Sequence, residues 1–492
     1  MVHVFPLGSF GHNPVARAAS EETCIRQGST LRNRLEGFID SRNGACRWRP
    51  NSMIAIVSGL MPDVWVQVKP YQSMPNTSSS AAINVEPAQR AAANFLSTAA
   101  ELVLPRGAIL GLSIAAFASG ISLRVTDALL PRLASDFSLS LGEAALVITA
   151  FAVAYGFAQL LFGPMGDRFG KYRVVAWGCI ACAFTTAACA LVESFDFLVI
   201  ARTVAGATAA SIIPLSMAWI GDVISYERRQ PILARFLIGQ ILGLSTGVFF
   251  GGYAADHLHW RTPFITIAVV FVAIGILLLA INKHLPLHAK QVRHVEGSAL
   301  NRMIHEFAQV LAIPWARIVL LTVFAEGAFL YGSFAFIVSH VHQVHGISLA
   351  SSGQVVMLFG MGGLLFAMAA RQLVHRLGES GLSKWGGILV FSAFLVIALA
   401  SQWWWSIPAC FVAGLGFYML HNTLQINATQ MAPERRGAAV AAFAACFFIG
   451  QSLGVAVDGA LIPRIATTGV IVVGGIGVLL LSLNFSRLKA LQ

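Results

Sequence analysis

The sequence predicts an all-α polytopic membrane protein of twelve transmembrane helices, arranged as two pseudo-symmetric six-helix bundles. Three observations lead there. Hydrophobic residues make up 57% of the 492-residue chain and charged residues only 11%. Apolar runs of about 20 residues, enough to cross a hydrocarbon core of about 30 Å, recur from Leu102 onward. Short elements of the first six runs return in the same order in the last six. Lipid gives an exposed backbone N–H or C=O no partner, so the runs must be helices.

The runs centre near residues 114, 153, 183, 209, 243, 273, 327, 361, 393, 416, 448 and 476. Lys and Arg in the loops fix the expected orientation. One side carries nineteen, among them Arg168, Lys171, Arg173, Arg228, Arg235, Lys283, Arg376 and Arg436; the other carries Arg132, Arg261 and Arg464. The positive-inside rule then puts both termini in the cytoplasm; the expected location is the cell inner (plasma) membrane. The net charge of +11 is accounted for by this topology, and no nucleic-acid partner is expected.

Four segments follow. Residues 1–100 are polar and irregular, and read as a poorly structured extension. Their run from Met53 to Val68 is short and broken by Pro62 and Asp63, so it is not a span. Met74 is the expected physiological start; a genuine disordered tail is the other reading. Residues 101–282 form the first half, 283–314 a basic cytoplasmic linker, and 315–492 the second half. The duplication is visible as Val204–Gly206 recurring at Val412–Gly414, and Arg168–Gly170 at Arg376–Gly378, both 208 residues on. Glu227–Arg229 recurs at Glu434–Arg436, and Gly239–Gly243 at Gly450–Gly454.

Between the second and third spans lies GPMGDRFGKYR, from Gly163 to Arg173. Topology alone explains the bases, but not Asp167 or the glycines. The stretch resembles the G-x-L-a-D-R-x-G-R-K signature of the major facilitator superfamily in Gly163, Asp167, Arg168, Gly170 and Lys171, with Met165 in the Leu position. The resemblance implies a transporter with an inner gate at this turn. In that family the carboxylate, here Asp167, faces the N-terminus of the eleventh span. The bases pair with an acid ending the fourth span, here Asp222. Leu198, Arg202 and Gly206 match a second family motif, with Ala205 where Gln is usual. Gly243, Gly247, Gly251 and Gly252 match the antiporter motif of the fifth span, with Val248 in place of Pro; such glycines allow close helix contact. Trp260, Arg261 and Phe264 are familiar from the same family. Asp127, four residues before Pro131, resembles the proton-coupling acid of the twelve-helix drug/proton antiporter branch.

Ionisable groups inside spans are informative because each costs about 2.5–3.5 kcal/mol at mid-helix. Asp127, Arg202 and Glu326 are the candidates for proton coupling, with Arg202 acting on a neighbouring carboxyl. Glu326 lies midway along the seventh span, where desolvation weighs most on a charge. It reads equally as a proton carrier or as a neutral group bonded to a neighbouring helix. Arg124 and Asp458 are expected to snorkel to the interface. His421, Gln425 and Asn427, with Thr423 and Gln430, form polar rows that either line the inner mouth of a pathway or mark where the tenth span leaves the bilayer. Phe324, Phe329, Tyr331 and Phe334 read as an aromatic wall or as helix packing. His340, His342 and His345 are placed in the outer loop after the seventh span, and no metal site is expected from them or from Cys179 and Cys182.

No G-x-x-x-x-G-K-[ST] motif occurs, so ATP is not the direct energy source; nor is there a hydrolytic constellation. The expectation is a non-enzymatic secondary transporter without a cofactor, a monomer driven by protons, exporting a small amphipathic or apolar compound. Uptake by symport or uniport is the first alternative, and a non-transporting sensor on the same fold the second.

Overall fold

The computed structural model describes residues 107–290 and 299–491. The expectations for residues 1–100, the Met74 start among them, lie outside the described residues. The first half comprises α1 (Gly107–Asp136), α2 (Leu141–Phe169), α3 (Lys171–Leu191), α4 (Phe195–Val223), α5 (Tyr226–His257) and α6 (Thr262–His284). A linker helix, Ala299–Ala312, precedes α7 (Pro314–His345). The continuous helix Leu349–Leu399 breaks at Gly378, with φ 62°, giving α8 (349–377) and α9 (379–399). After α10 (Trp403–Gln430), the helix Arg436–Ala490 breaks at Ala466 into α11 (436–465) and α12 (467–490). Twelve apolar spans result, each containing one of the expected centres. Bulky apolar side chains such as Phe184, Leu191, Val269 and Leu480 point outward unburied, as a lipid-facing surface requires.

The duplication is built into the helix contacts. Gly243 of α5 lies against the Phe117 carbonyl of α1, and Gly454 of α11 against the Ala328 carbonyl of α7. Both partners are shifted by 211 residues. Gly206 of α4 meets the Phe151 carbonyl of α2 just as Gly414 of α10 meets that of Phe359 on α8, both shifted by 208. Gly170 and Gly378 have φ of 88° and 62°, the left-handed region open to glycine, and each turns the chain sharply between consecutive spans. Of the four motif glycines, Gly243, Gly247 and Gly251 seat α5 on α1, whereas Gly252 faces the backbone of Leu349 on α8, in the other half.

The two halves meet unevenly. At the end away from the basic loops, the far face, Gly142 of α2 lies on the backbone of Gly459 of α11, and Gly353 of α8 on that of Val248 in α5. Asp256 Oδ2 accepts the backbone N–H of Ala350 at 2.6 Å, a carboxylate at the N-terminus of a helix, where the dipole favours it. Ser452 Oγ donates to the Thr149 carbonyl at 3.0 Å. At the basic face, Gly163 and Gly437 look onto open space. The seam is shut at the far face and parted at the basic one.

Candidate functional site: charged groups at the seam

At the basic end, Gly170 closes α2 and starts α3, bringing three charged side chains together. Lys171 Nζ donates to Asp167 Oδ1 at 2.8 Å and to Asp222 Oδ2 at 2.6 Å. Arg168 turns aside, its guanidinium carbon 5.3 Å from the Phe169 ring. The cluster thus ties α2, α3 and α4 together within one half. The resemblance placed Asp167 against the start of α11; here Gly437 at that start stands open, because the halves are parted at this end.

At mid-depth, Asp127 is 1% exposed. Its Oδ2 accepts from Arg124 Nη1 at 3.2 Å, while Oδ1 has no partner among the described residues. Arg124 reaches across the seam: Nη2 donates to Gln451 Oε1 of α11 at 3.5 Å, and its guanidinium carbon stands 3.8 Å from the Tyr331 ring centroid. Arg202 does not contact Asp127 directly. It donates to the Val147 and Ser122 carbonyls and to Thr126 Oγ1, and lies 4.1 Å over the Phe151 ring. Arg202 therefore holds the turn of α1 that carries Asp127, and Arg124 makes the ion pair.

Glu326, 0% exposed, ends a regular stretch of α7; a π turn, Gly327–Tyr331, follows. Such turns concentrate at functional sites. Glu326 Oε2 and His421 Nδ1 of α10 share a hydrogen bond at 2.8 Å, and Oε1 has no partner among the described residues. The His421 ring packs 5.0 Å from Phe417 and 4.9 Å from Phe447. Two residues flagged separately in the sequence are thus one unit. Tyr331, Phe334, Phe359, Phe417 and Phe447 form a continuous edge-to-face cluster beside it.

Several expectations are corrected. Arg124 and Asp458 do not snorkel. Both are buried; Arg124 faces Asp127, and Asp458 Oδ2 accepts from Ser333 Oγ at 3.1 Å. Depth along a helix does not say which side it turns to lipid, and an internal partner replaces hydration. Asn427 is not on a pathway wall. It is 1% exposed, donating to Glu379 Oε2 and accepting from Lys489 Nζ, each at 2.9 Å. Asn427 thus faces α9 and α12, while on the neighbouring row His421 faces α7 and α11 and Gln425 is half-buried. His340 is on α7 and not in a loop; buried, it bonds Thr467 Oγ1 at 2.9 Å and the Ile397 carbonyl at 3.1 Å. Sequence reasoning gave Gln451 and Glu379 no place in the site and counted Lys489 only as a topology charge. For Arg124, its i, i+3 spacing from Asp127 was an available signal.

A family model described as Major Facilitator Superfamily matches residues 112–486. The MFS-type transporter YwfA of Bacillus subtilis is 25% identical over 352 residues, covering 71% of this chain and 84% of its own. The multidrug export protein EmrB of Escherichia coli is 28% identical over 170 residues, covering 35% of this chain and 33% of its own. Among solved structures, nucleoside transporter NupG superposes with a TM-score of 0.64 at 14% identity, over 77% of this chain and 99% of its own. A peptide transporter, POT, gives 0.65 at 16%, over 80% and 97%. These likenesses join a twelve-span bundle with a seam of buried charges to a family of membrane transporters, not enzymes: the chain belongs to the major facilitator superfamily.

Proposed function

We propose that the chain is a proton-coupled exporter of small amphipathic or apolar compounds, a monomer working by alternating access in the inner (plasma) membrane with both termini cytoplasmic. The basic face is then the cytoplasmic one, and the arrangement described here is open inward. The observation that carries the reading is the pair of buried carboxyls, Asp127 in one half and Glu326 in the other, each with one oxygen that has no partner among the described residues. A buried carboxyl must be paired or protonated, and rocking of the halves changes what stands beside it. Arg124 bridges the seam to Gln451, so its hold on Asp127 changes as the halves separate. The proton gradient is the energy source and no cofactor takes part; one proton falling through 100 mV supplies about 2.3 kcal/mol. The likeness to the multidrug export protein EmrB supports export as the direction. Val248, in place of the motif Pro, favours a second reading, uptake by symport or uniport.

Reconstitution in proteoliposomes tests both. Under an imposed pH gradient, a cationic probe (ethidium) and an acidic one (2-naphthoate) are offered. At least one should accumulate against its own gradient, in the sense of proton exchange. The double variant Asp127→Asn, Glu326→Gln should abolish accumulation but keep downhill flux. Undiminished accumulation in the double variant would sink proton coupling through these carboxyls, and movement of probe together with protons would favour uptake.

A further inference from the structure

Between α1, α5, α7, α8 and α10 the seam holds a small, partly open cavity of about 290 Å³ of empty space, lined by Arg124, Ser245, Tyr331, Phe334, Phe359 and Tyr418, among others. Both halves contribute to it, so a molecule held there feels their movement. Its wall is aromatic and aliphatic, and Arg124 is the one charged side chain on it among the described residues. We infer that this cavity takes the anionic group of an aromatic or apolar organic acid, with the Arg124 guanidinium as its anchor. The inference deepens the transporter reading above and rests on it.

Three features argue for an acid over a cation. First, the aromatic face best placed to receive a cation, that of Tyr331, is already covered by Arg124 at 3.8 Å, with Phe334 5.7 Å away. An organic cation would have to displace one positive charge while approaching it. Second, a guanidinium carries five N–H donors in a planar fork. The two bonds that Arg124 makes to side-chain oxygens, to Asp127 at 3.2 Å and Gln451 at 3.5 Å, exceed the 2.7–2.9 Å typical of strong charge-assisted bonds. Donor capacity remains, and the existing bonds are loose enough to be exchanged for a substrate carboxylate. Third, the acids near the seam are already paired. Asp127 is held on Arg124 and Glu326 on His421, and neither lines it. The wall therefore offers a flat apolar body aromatic contact and offers its charge one positive fork.

Binding to the purified full-length protein in nanodiscs tests this, with three probes on one ring system: 2-naphthoate, 2-naphthamide and a naphthyl trimethylammonium. The acid should bind at least ten-fold more tightly than the amide or the cation. Arg124→Lys, which keeps the charge but loses the fork, should weaken it about ten-fold. Arg124→Ala alone leaves Asp127 buried without its partner and is prone to misfold. The double variant Arg124→Ala, Asp127→Ala removes both charges and should bind acid and amide alike. Equal or tighter binding of the amide or cation, no binding of the acid, or acid binding unchanged in both variants overturns the inference. Proton-driven transport of ethidium without naphthoate binding would sink the anchor and leave the transporter reading intact. Naphthoate binding through Arg124 without proton-driven movement of either probe would do the reverse.

Discussion

Side-chain identity matters less here than the face a side chain is given. His421 and Gln425 are four apart on α10, as are Thr423 and Asn427, but the two rows meet different worlds. Asn427 is clamped by Glu379 and Lys489, whereas Gln425 is half-buried on the row that carries His421 to Glu326. In a background freed of native cysteines, Gln425→Cys should react with a membrane-impermeant thiol reagent from the basic side. Asn427→Cys should react at least ten-fold more slowly, and should lose about 1–3 kcal/mol of stability with its buried hydrogen bonds. Equal labelling of the two would mean that the rows are assigned to the wrong faces. The existence of these polar positions was legible in the sequence, because lipid tolerates so few of them. Their orientation was not, because a helical period says which residues share a face but not what that face meets. The same limit hid the inward turn of Arg124. It also hid the Glu326–His421 pair, whose members are 95 residues apart.

Between elements, the contacts that position the charges are glycine against backbone. α5 lies on α1 through Gly243, Gly247 and Gly251, and α11 lies on α7 through Gly450 and Gly454. The pairs α1/α5 and α7/α11 carry Arg124, Asp127, Glu326 and Gln451. This level was the most readable, since the recurrence of Gly239–Gly243 at Gly450–Gly454 already implied matched interfaces. The helix breaks at Gly378 and Ala466 were legible only as turns between adjacent apolar runs. Ala466, at φ 57°, gave no residue-type signal of the kind Gly378 did. A Cβ at Gly243 or Gly454 would strike a carbonyl oxygen of the facing helix, and backbone cannot move aside as a side chain can. Gly243→Val and Gly454→Val should therefore each destabilise the protein by about 1–3 kcal/mol or more, by similar amounts, read as a fall in Tm. Gly163→Val, which faces open space, should change stability by no more than about 0.5 kcal/mol. A large drop at Gly163 with none at Gly243 would contradict the interfaces described.

For the whole molecule, the far-face closure is made from contacts that neither half needs for its own core. Gly142 sits at the start of α2 and touches Gly459 of the opposite half, and Asp256 caps the start of α8 across the same boundary. Gly142→Leu would drive a side chain into the backbone of Gly459, so the shut far face becomes inaccessible while each six-helix bundle keeps its packing. Two rigid halves rocking about a central seam must then part at the far face and meet at the basic face. Two reporters read this out in opposite senses. Ser452→Cys, buried beside Thr149, should gain reactivity toward a reagent added from the far side. Gln425→Cys should lose reactivity from the basic side in the same variant. Asp256→Ala removes a helix-terminal contact of about 0.5–2 kcal/mol, enough to change the ratio of the two states between about two-fold and thirty-fold. It should shift both reporters the same way but less far. Were Gly142→Leu to raise far-side labelling with Gln425 unaffected, the two faces would open independently, and a single rocking motion would not describe the molecule.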